Sequence, residues 1–412
     1  MTIRASSRLT SSRLTLFVVA LGVPTLALAA EGPVTGEVRG YIEHRHQIAI
    51  GLDPALASLP LVDFDEIGLH PDEVFGVTNH IRPTGKLHFG ETATLVMTVD
   101  AHSYHLLDAR KQEDLWDYLS LDRLYVSITT DQVDLTLGKQ VLNWGHGLLL
   151  NPSAPNNERP PQDLRAELEG LWAARALVAI QDDANVTMAV AVRESTPDDP
   201  LVVGRWDKTL ETTDMAVTVT WDEGAGDVTL GYEIKGDIED GPGLWAETTA
   251  SVFTDDASTW SFEVEAGLDY TFDVLQGLYV AAEYIHHGAG VDGDYIESAL
   301  GGRRRSVLLG KDYALVMIRQ TFDALWQAQL LSITNVRDPS GLVSAQLTWL
   351  PLGYLEIIFG ANLTWGSGGG EYALEVPETV SMNGATIPIP EVWAGLPLTP
   401  TATLYLWARY YF

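Results

Sequence analysis

Along most of the chain, apolar and polar side chains alternate one by one over segments of about ten residues, and clusters of turn-forming residues separate the segments. Leu124, Val126 and Ile128 alternate with Tyr125, Ser127 and Thr129. Val186, Met188, Val190 and Val192 alternate with Thr187, Ala189, Ala191 and Arg193, and Met215, Val217, Val219 and Trp221 with Ala216, Thr218 and Thr220. A period of two sends the two sets to opposite faces of a β-strand. Seventeen segments fit this pattern: 37–48, 76–89, 92–104, 121–130, 133–141, 171–181, 185–194, 213–222, 227–236, 244–252, 259–271, 276–287, 312–320, 326–335, 341–350, 354–365 and 399–412. The predicted fold class is all-β, either a soluble sandwich with an aromatic core or an antiparallel transmembrane β-barrel.

The last segment favours the membrane. Leu404, Leu406, Ala408, Tyr410 and Phe412 share one face, while Thr403, Tyr405, Trp407, Arg409 and Tyr411 share the other. One face suits lipid and the other tolerates water. Beyond the first 29 residues, no uncharged apolar stretch reaches the roughly 18 residues a spanning helix needs. Even Leu347 to Leu363 is interrupted by Pro351 and Glu356. A chain of this kind crosses hydrocarbon only as a closed barrel, in which every backbone donor and acceptor is satisfied. A terminal strand ending in Phe resembles the closing strand of Gram-negative outer-membrane barrels. The resemblance implies that Phe412 is the sorting signal read by the barrel-assembly machinery.

The other end agrees. Arg4, Arg8 and Arg13 precede an apolar run from Leu14 to Leu28, and Ala27-Leu28-Ala29 offers the small residues of a cleavage site. Residues 1–29 are expected to be a signal peptide and 30–412 the barrel. The chain has no Cys, which excludes a disulfide framework, a lipobox and thiolate chemistry. Its formal net charge of −31 becomes about −34 once the three leader arginines are removed, a balance that excludes nucleic acid as a partner.

Bacterial single-chain barrels close with an even number of strands. Tracing hairpins inward from the two termini gives results that differ by one strand between about 195 and 260, so sixteen strands are expected, with eighteen as the alternative. Short connectors at 90–91, 130–132, 181–184, 272–276 and 351–353 fall on the periplasmic side, and long ones near 49–75, 105–120, 142–170, 288–311 and 366–398 on the outer side. Trp172, Trp221, Trp260, Tyr284, Trp326, Trp349, Tyr354, Trp365 and Tyr410 lie near strand ends, as interfacial girdles require.

The most distinctive stretch is Leu137-Gly138-Lys139-Gln140-Val141-Leu142-Asn143-Trp144-Gly145-His146-Gly147, followed by Asn151-Pro152 and Arg159-Pro160-Pro161-Gln162-Asp163. It resembles the G-[RK]-Q-x-x-x-W-G strand end of outer-membrane porin-like families related to alginate-export and capsule-assembly barrels. Strict alternation puts Lys139 on the lipid face, where an amine costs about 2–4 kcal/mol at mid-bilayer. Either a bulge at Gly138 turns Lys139 toward the lumen beside Gln140, or Lys139 lies at the interface and snorkels. The loop that follows either folds inward, lining the pore with Arg159, Asp163 and Arg165, or is an ordinary solvated outer loop.

Strand one places Arg39, Tyr41, Glu43, Arg45 and Gln47 opposite Val38, Ile42 and Ile48. With Arg193, Glu263, Glu265, Asp269, Glu283 and Arg409 they predict a mixed-charge inner wall, and the acids on 259–271 are expected to face water. Such charges set ion preference or pair with one another. His44 and His46 share a face but lack a third ligand, and His286 and His287 point opposite ways, so no metal is assigned and no cofactor is expected. Arg303, Arg304 and Arg305 offer either a lipopolysaccharide-phosphate contact or a solvated cluster. No nucleophile elbow occurs.

The expected function is a porin-like outer-membrane channel passing small hydrophilic solutes or ions, with no chemical step. The alternatives are a component for polysaccharide export or surface-polymer attachment and a barrel enzyme acting on envelope lipid. Its partners are outer-membrane lipid and lipopolysaccharide. Porin-like barrels occur as monomers and as trimers, so the resemblance implies either a single barrel or a homo-oligomer.

Overall fold

The structure, a computed structural model, describes residues 34–50, 75–106, 119–154, 163, 165–238, 241–253, 259–293, 295–296, 308–377, 379–382, 385–388 and 396–412. The expected signal peptide, Arg159 and Arg303 to Arg305 lie outside the described residues. Among the described residues the wall consists of eighteen antiparallel strands: β1 (Val34–Ile50), β2 (Phe75–Phe89), β3 (Ala93–Leu106), β4 (Leu119–Thr129), β5 (Val133–Gln140), β6 (Leu171–Gln181), β7 (Ala184–Val192), β8 (Pro200–Leu210), β9 (Thr213–Asp222), β10 (Asp227–Asp237), β11 (Gly243–Phe253), β12 (Trp260–Phe272), β13 (Leu278–His287), β14 (Asp312–Thr321), β15 (Trp326–Asn335), β16 (Ser340–Leu352), β17 (Leu355–Trp365) and, after a small separate hairpin of β18 (Thr379–Met382) and β19 (Ala385–Pro388), β20 (Ala402–Tyr411). Each wall strand pairs with the next, and β20 pairs back onto β1 from Tyr41↔Tyr411 to Ile50↔Ala402, closing the sheet.

Eighteen, not sixteen, is therefore the count. The strand that sequence reading missed is β8, which falls where the two tracings disagreed. Its charged Arg205, Asp207 and Lys208 interrupt the apolar rhythm, and the turn into β9 is Glu211-Thr212, with no Gly, Pro or Asn to mark it. Glu211 instead adopts the left-handed conformation itself, at φ 52°.

The alternation predicts the faces correctly. Met188, Val190, Val219 and Trp221 are exposed on the outside of the cylinder, whereas Thr187, Ala189, Ala191, Ala216, Thr218 and Thr220 are buried on the inside. On β20, Leu404, Leu406 and Tyr410 point out while Tyr405, Trp407 and Arg409 point in. Short connectors cluster at the end that carries Val34 and Phe412, and the long ones at the other. Aromatic rings form a girdle at each level. Trp326 stacks on Trp349 with centroids 5.5 Å apart, and Tyr354 meets Tyr410 edge-on at 5.4 Å near the chain termini. Trp221, Trp260, Tyr284 and Trp365 lie exposed toward the opposite rim.

The interior is not uniformly polar. Ala281, Ile285, Tyr313, Leu315, Met317, Leu331, Ile333 and Leu342, from β13 to β16, pack with Leu149, Leu150, Leu308 and Tyr372 into a dry cluster. Tertiary packing thus reaches inside the cylinder along that sector.

The seam is held from within. Glu43 on β1 is completely buried and accepts hydrogen bonds from Arg45 and from Arg409 of β20, the latter from Nε at 2.7 Å. Removing the carboxylate charge in Glu43→Gln leaves two guanidiniums confronting each other across the closure. The expected cost is about 3–5 kcal/mol, read as a lower urea midpoint for loss of the fast-migrating folded band on unheated gels. On the outside, Met188→Arg places a guanidinium toward hydrocarbon and is expected to cost about 2–4 kcal/mol near mid-bilayer, measured by urea unfolding from lipid vesicles.

Candidate functional site: a strapped lumen

The described residues of the connector between β5 and β6, 141–154, 163 and 165–170, pack inside the barrel. Its path is dictated by the distinctive stretch read from the sequence. Trp144 donates its indole N–H to the carbonyl of Ser153 at 2.9 Å, and the Asn151 amide clips Gly147, accepting from its N–H at 2.8 Å and donating to its carbonyl at 3.2 Å. Gly145 turns the chain at φ +92°. Gly147 lies so close to the wall that a Cβ there would stand 2.2 Å from Glu265 Oε2 and 2.1 Å from the Leu150 carbonyl. These contacts convert Trp-Gly-x-Gly followed by Asn into a compact strap.

The strap grips the wall through its own backbone. Leu148 N–H donates to Glu283 Oε2 at 2.7 Å, Ser153 N–H donates to Glu247, and Ser153 Oγ donates to Glu233 at 2.5 Å. Glu233 also pairs with Arg205, whose NH2 lies 3.0 Å from Oε2. Further along, the strap reaches other strands. Asp163 meets Arg45 at 3.3 Å, Arg165 donates to Glu356 at 2.8 Å, and Glu167 lies 3.7 Å from Arg82 and 3.8 Å from Arg123. The first set of anchors lies on β10, β11 and β13, the second on β1, β2, β4 and β17. The described residues up to Ala154 thus meet one wall, and Asp163, Arg165 and Glu167 meet the other. Burial and the charge of Lys235 hold His146, on the strap, below the usual imidazole range.

This burial corrects the expectation that the acids of β12 face water. Glu263 and Glu265 are both buried; Glu263 lies 3.1 Å from His287 Nδ1, and Glu265, against Gly147 of the strap, accepts the Trp245 indole N–H at 2.5 Å. Asp269 is half-buried and accepts from Tyr279 Oη at 2.9 Å. Alternation assigned the face correctly but carries no information about what covers it.

Of the residues singled out from sequence, Glu43, Arg45, Asp163, Arg165 and Arg409 come together in one network. Arg45 lies over the Trp407 ring at 4.0 Å and Arg409 over Tyr41 at 4.5 Å. Arg39 projects from the barrel near its terminal end and pairs with Glu37 at 2.9 Å. Arg193 forms a two-pronged pair with Asp222, at 3.1 and 2.7 Å. Gln140 caps backbone carbonyls of Thr136 and Ala173 at 3.1 and 3.2 Å. Lys139 stands apart from the network, 3.0 Å from Glu194.

The bulge expected at Gly138 is absent: both ladders of β5 run in register through it, and the glycine accommodates the turn with φ +123°. A bulge occurs instead in β4, where Asp122 is the extra residue between Leu121 and Arg123. His44 and His46 lie on the outer face with Nε2 atoms 2.8 Å apart, and His44 Nδ1 is 2.6 Å from Asn79 Oδ1.

Sequence reading missed a second part of the wall network, on β2 to β4. His80, Arg82, Asp100 and Asp122 are all buried. Arg82 donates to Asp100 at 3.0 Å and to Asp122 at 2.6 Å. The signal was present: His80, Arg82 and Thr84 alternate with Ile81 and Pro83, and Thr98, Asp100 and His102 alternate with Val99 and Ala101.

No protein-family model matches the chain, and no curated protein sequence matches it. Solved structures do. Across 96% of this chain and 87% of its own, it is similar at 9% identity and a TM-score of 0.52 to Wzi, an outer-membrane protein involved in group 1 capsule assembly in Escherichia coli and a carbohydrate-binding β-barrel. OccK11 (OpdR) of Pseudomonas aeruginosa matches with a TM-score of 0.55 at 8% identity over 92% of this chain and 96% of that one. The outer-membrane protein opdK of the same organism matches with a TM-score of 0.55 at 7% identity over 92% and 98%. The fold is that of an outer-membrane β-barrel.

Proposed function

We propose that the protein is a porin-like channel of the Gram-negative outer membrane, conducting small hydrophilic solutes or ions through a lumen narrowed by the strap of residues 141–170. The observation that carries this reading is the strap's own chemistry: it is fixed at both walls and leaves its path bordered by Arg45, Asp163, Arg165 and Glu167. Fixed charges at a constriction select solutes by sign and hydrogen bonding rather than by a chemical step. Removal of a leader ending at Ala29 and insertion through Phe412 by the barrel-assembly machinery belong to the same reading, as do outer-membrane lipid and lipopolysaccharide as its surroundings.

The similarity to Wzi, together with the Gly138 to Gly145 resemblance to capsule-assembly and alginate-export barrels, supports a second reading, in which the barrel passes or holds a surface polysaccharide. Planar-bilayer recording separates the two. The channel reading expects small, stepwise, ohmic currents from the intact protein and severalfold larger ones after deletion of residues 147–165. A barrel that carries no current in either form, yet retains polysaccharide, supports the second reading and overturns the first.

A further inference from the structure

His80 on β2 and Asp100 and His102 on β3 project from adjacent strands onto one spot of the inner wall. The imidazoles are stacked, with centroids 4.0 Å apart and planes inclined by 20°. Both turn Nε2 toward the same atom, Asp100 Oδ1, with His102 Nε2 at 2.9 Å and His80 Nε2 also in hydrogen-bond contact. The three ligand atoms all lie within 4.8 Å of one another. Ligands bound to a tetrahedral ion at about 2.1 Å stand roughly 3.4 Å apart, so small ring movements open the required space.

The surroundings are those of a held ligand set. Arg82 donates to the other carboxylate oxygen, Asp100 Oδ2, at 3.0 Å, which fixes the carboxylate and directs Oδ1 at the imidazoles. The charge of Arg82 is itself met by Asp122 at 2.6 Å and Glu167 at 3.7 Å. Arg123 lies 3.1 Å from Asp122 and 3.8 Å from Glu167. Around the two imidazoles the described residues therefore set three carboxylates against two guanidiniums, a negative excess that favours a cation. Tyr41 Oη lies 3.5 Å from His80 Nδ1, the nitrogen facing away from the site. His80 is buried, but the His102 side chain keeps 34% of its surface exposed, giving an approach from the lumen.

We propose that His80, Asp100 and His102 form a lumenal binding site for a divalent transition-metal ion, of the Zn²⁺ or Ni²⁺ class. Two imidazoles and one carboxylate suit such ions, whereas Ca²⁺ and Mg²⁺ prefer all-oxygen sets. The orienting guanidinium on Asp100 is the outer support that metal-ligating carboxylates require. The site does not depend on conduction through the barrel.

The test is titration of the untagged, detergent-folded barrel with Zn²⁺ at near-neutral pH, followed by calorimetry and by competition with a chromophoric chelator. One Zn²⁺ per barrel is expected, with Ca²⁺ failing to compete. The double substitution His80→Ala/His102→Ala is expected to weaken binding by at least about tenfold, and His44→Ala/His46→Ala on the outer face is expected to leave it unchanged. Gel mobility of unheated samples reports folding. If the double variant fails to fold, His102→Ala alone, at the more exposed ligand, is read instead. The proposal is overturned if the intact barrel binds no Zn²⁺, if binding survives loss of the inner histidines, or if it disappears with the outer pair.

Discussion

A peptide group facing hydrocarbon has no water to bond to, and each unsatisfied one costs several kcal/mol. The join between β1 and β20 answers that constraint for the whole wall, because without it both β1 and β20 would be edge strands, each with a row of donors and acceptors unpaired. The Phe412 N–H and carbonyl exchange hydrogen bonds with those of Gly40, each 3.0 Å long, so pairing continues to the last residue. Closure in turn divides the side chains into two environments. Outward positions become apolar, and inward polar positions must find partners among themselves or in something placed inside.

The inner wall solves that problem in three ways around its circumference. Along β1 to β4 with β17 and β20, arginines and carboxylates alternate as mutual partners, with histidines among them. Along β10 to β13 the glutamates take their partners from backbone and side-chain donors, including the strap's N–H groups. Along β13 to β16 the wall carries few polar groups and packs as an ordinary core. The strap touches all three sectors and ties them to one another.

How much of this was legible in the sequence follows from which forces act locally. Period-two alternation is a local consequence of strand geometry, and it placed the faces of β1, β7, β9, β12 and β20. It gave no warning on β14 and β15, where Leu315, Val316, Met317 and Ile318, or Leu330 and Leu331, are apolar on both faces because one meets lipid and the other a packed lumen. Strand β8 was lost because a turn built on Glu211 lacks the residues that usually supply a left-handed conformation. The motif around Trp144 could be noticed but not interpreted, since its partners Glu233, Glu247, Glu265 and Glu283 are remote in sequence. Register between β2 and β3, which brings His80 opposite His102, is likewise a pairing property.

That remoteness has a temporal side. Leu148 and its anchor Glu283 are separated by 135 positions, and Ser153 and Glu247 by 94. Contacts that close such long stretches of chain form late, after local hairpins. While the nascent cylinder still lacks its C-terminal half, the segment after β5 has nothing to hold it across the bore. Narrowing of the bore therefore waits on β10, β11 and β13, which carry Glu233, Glu247 and Glu283.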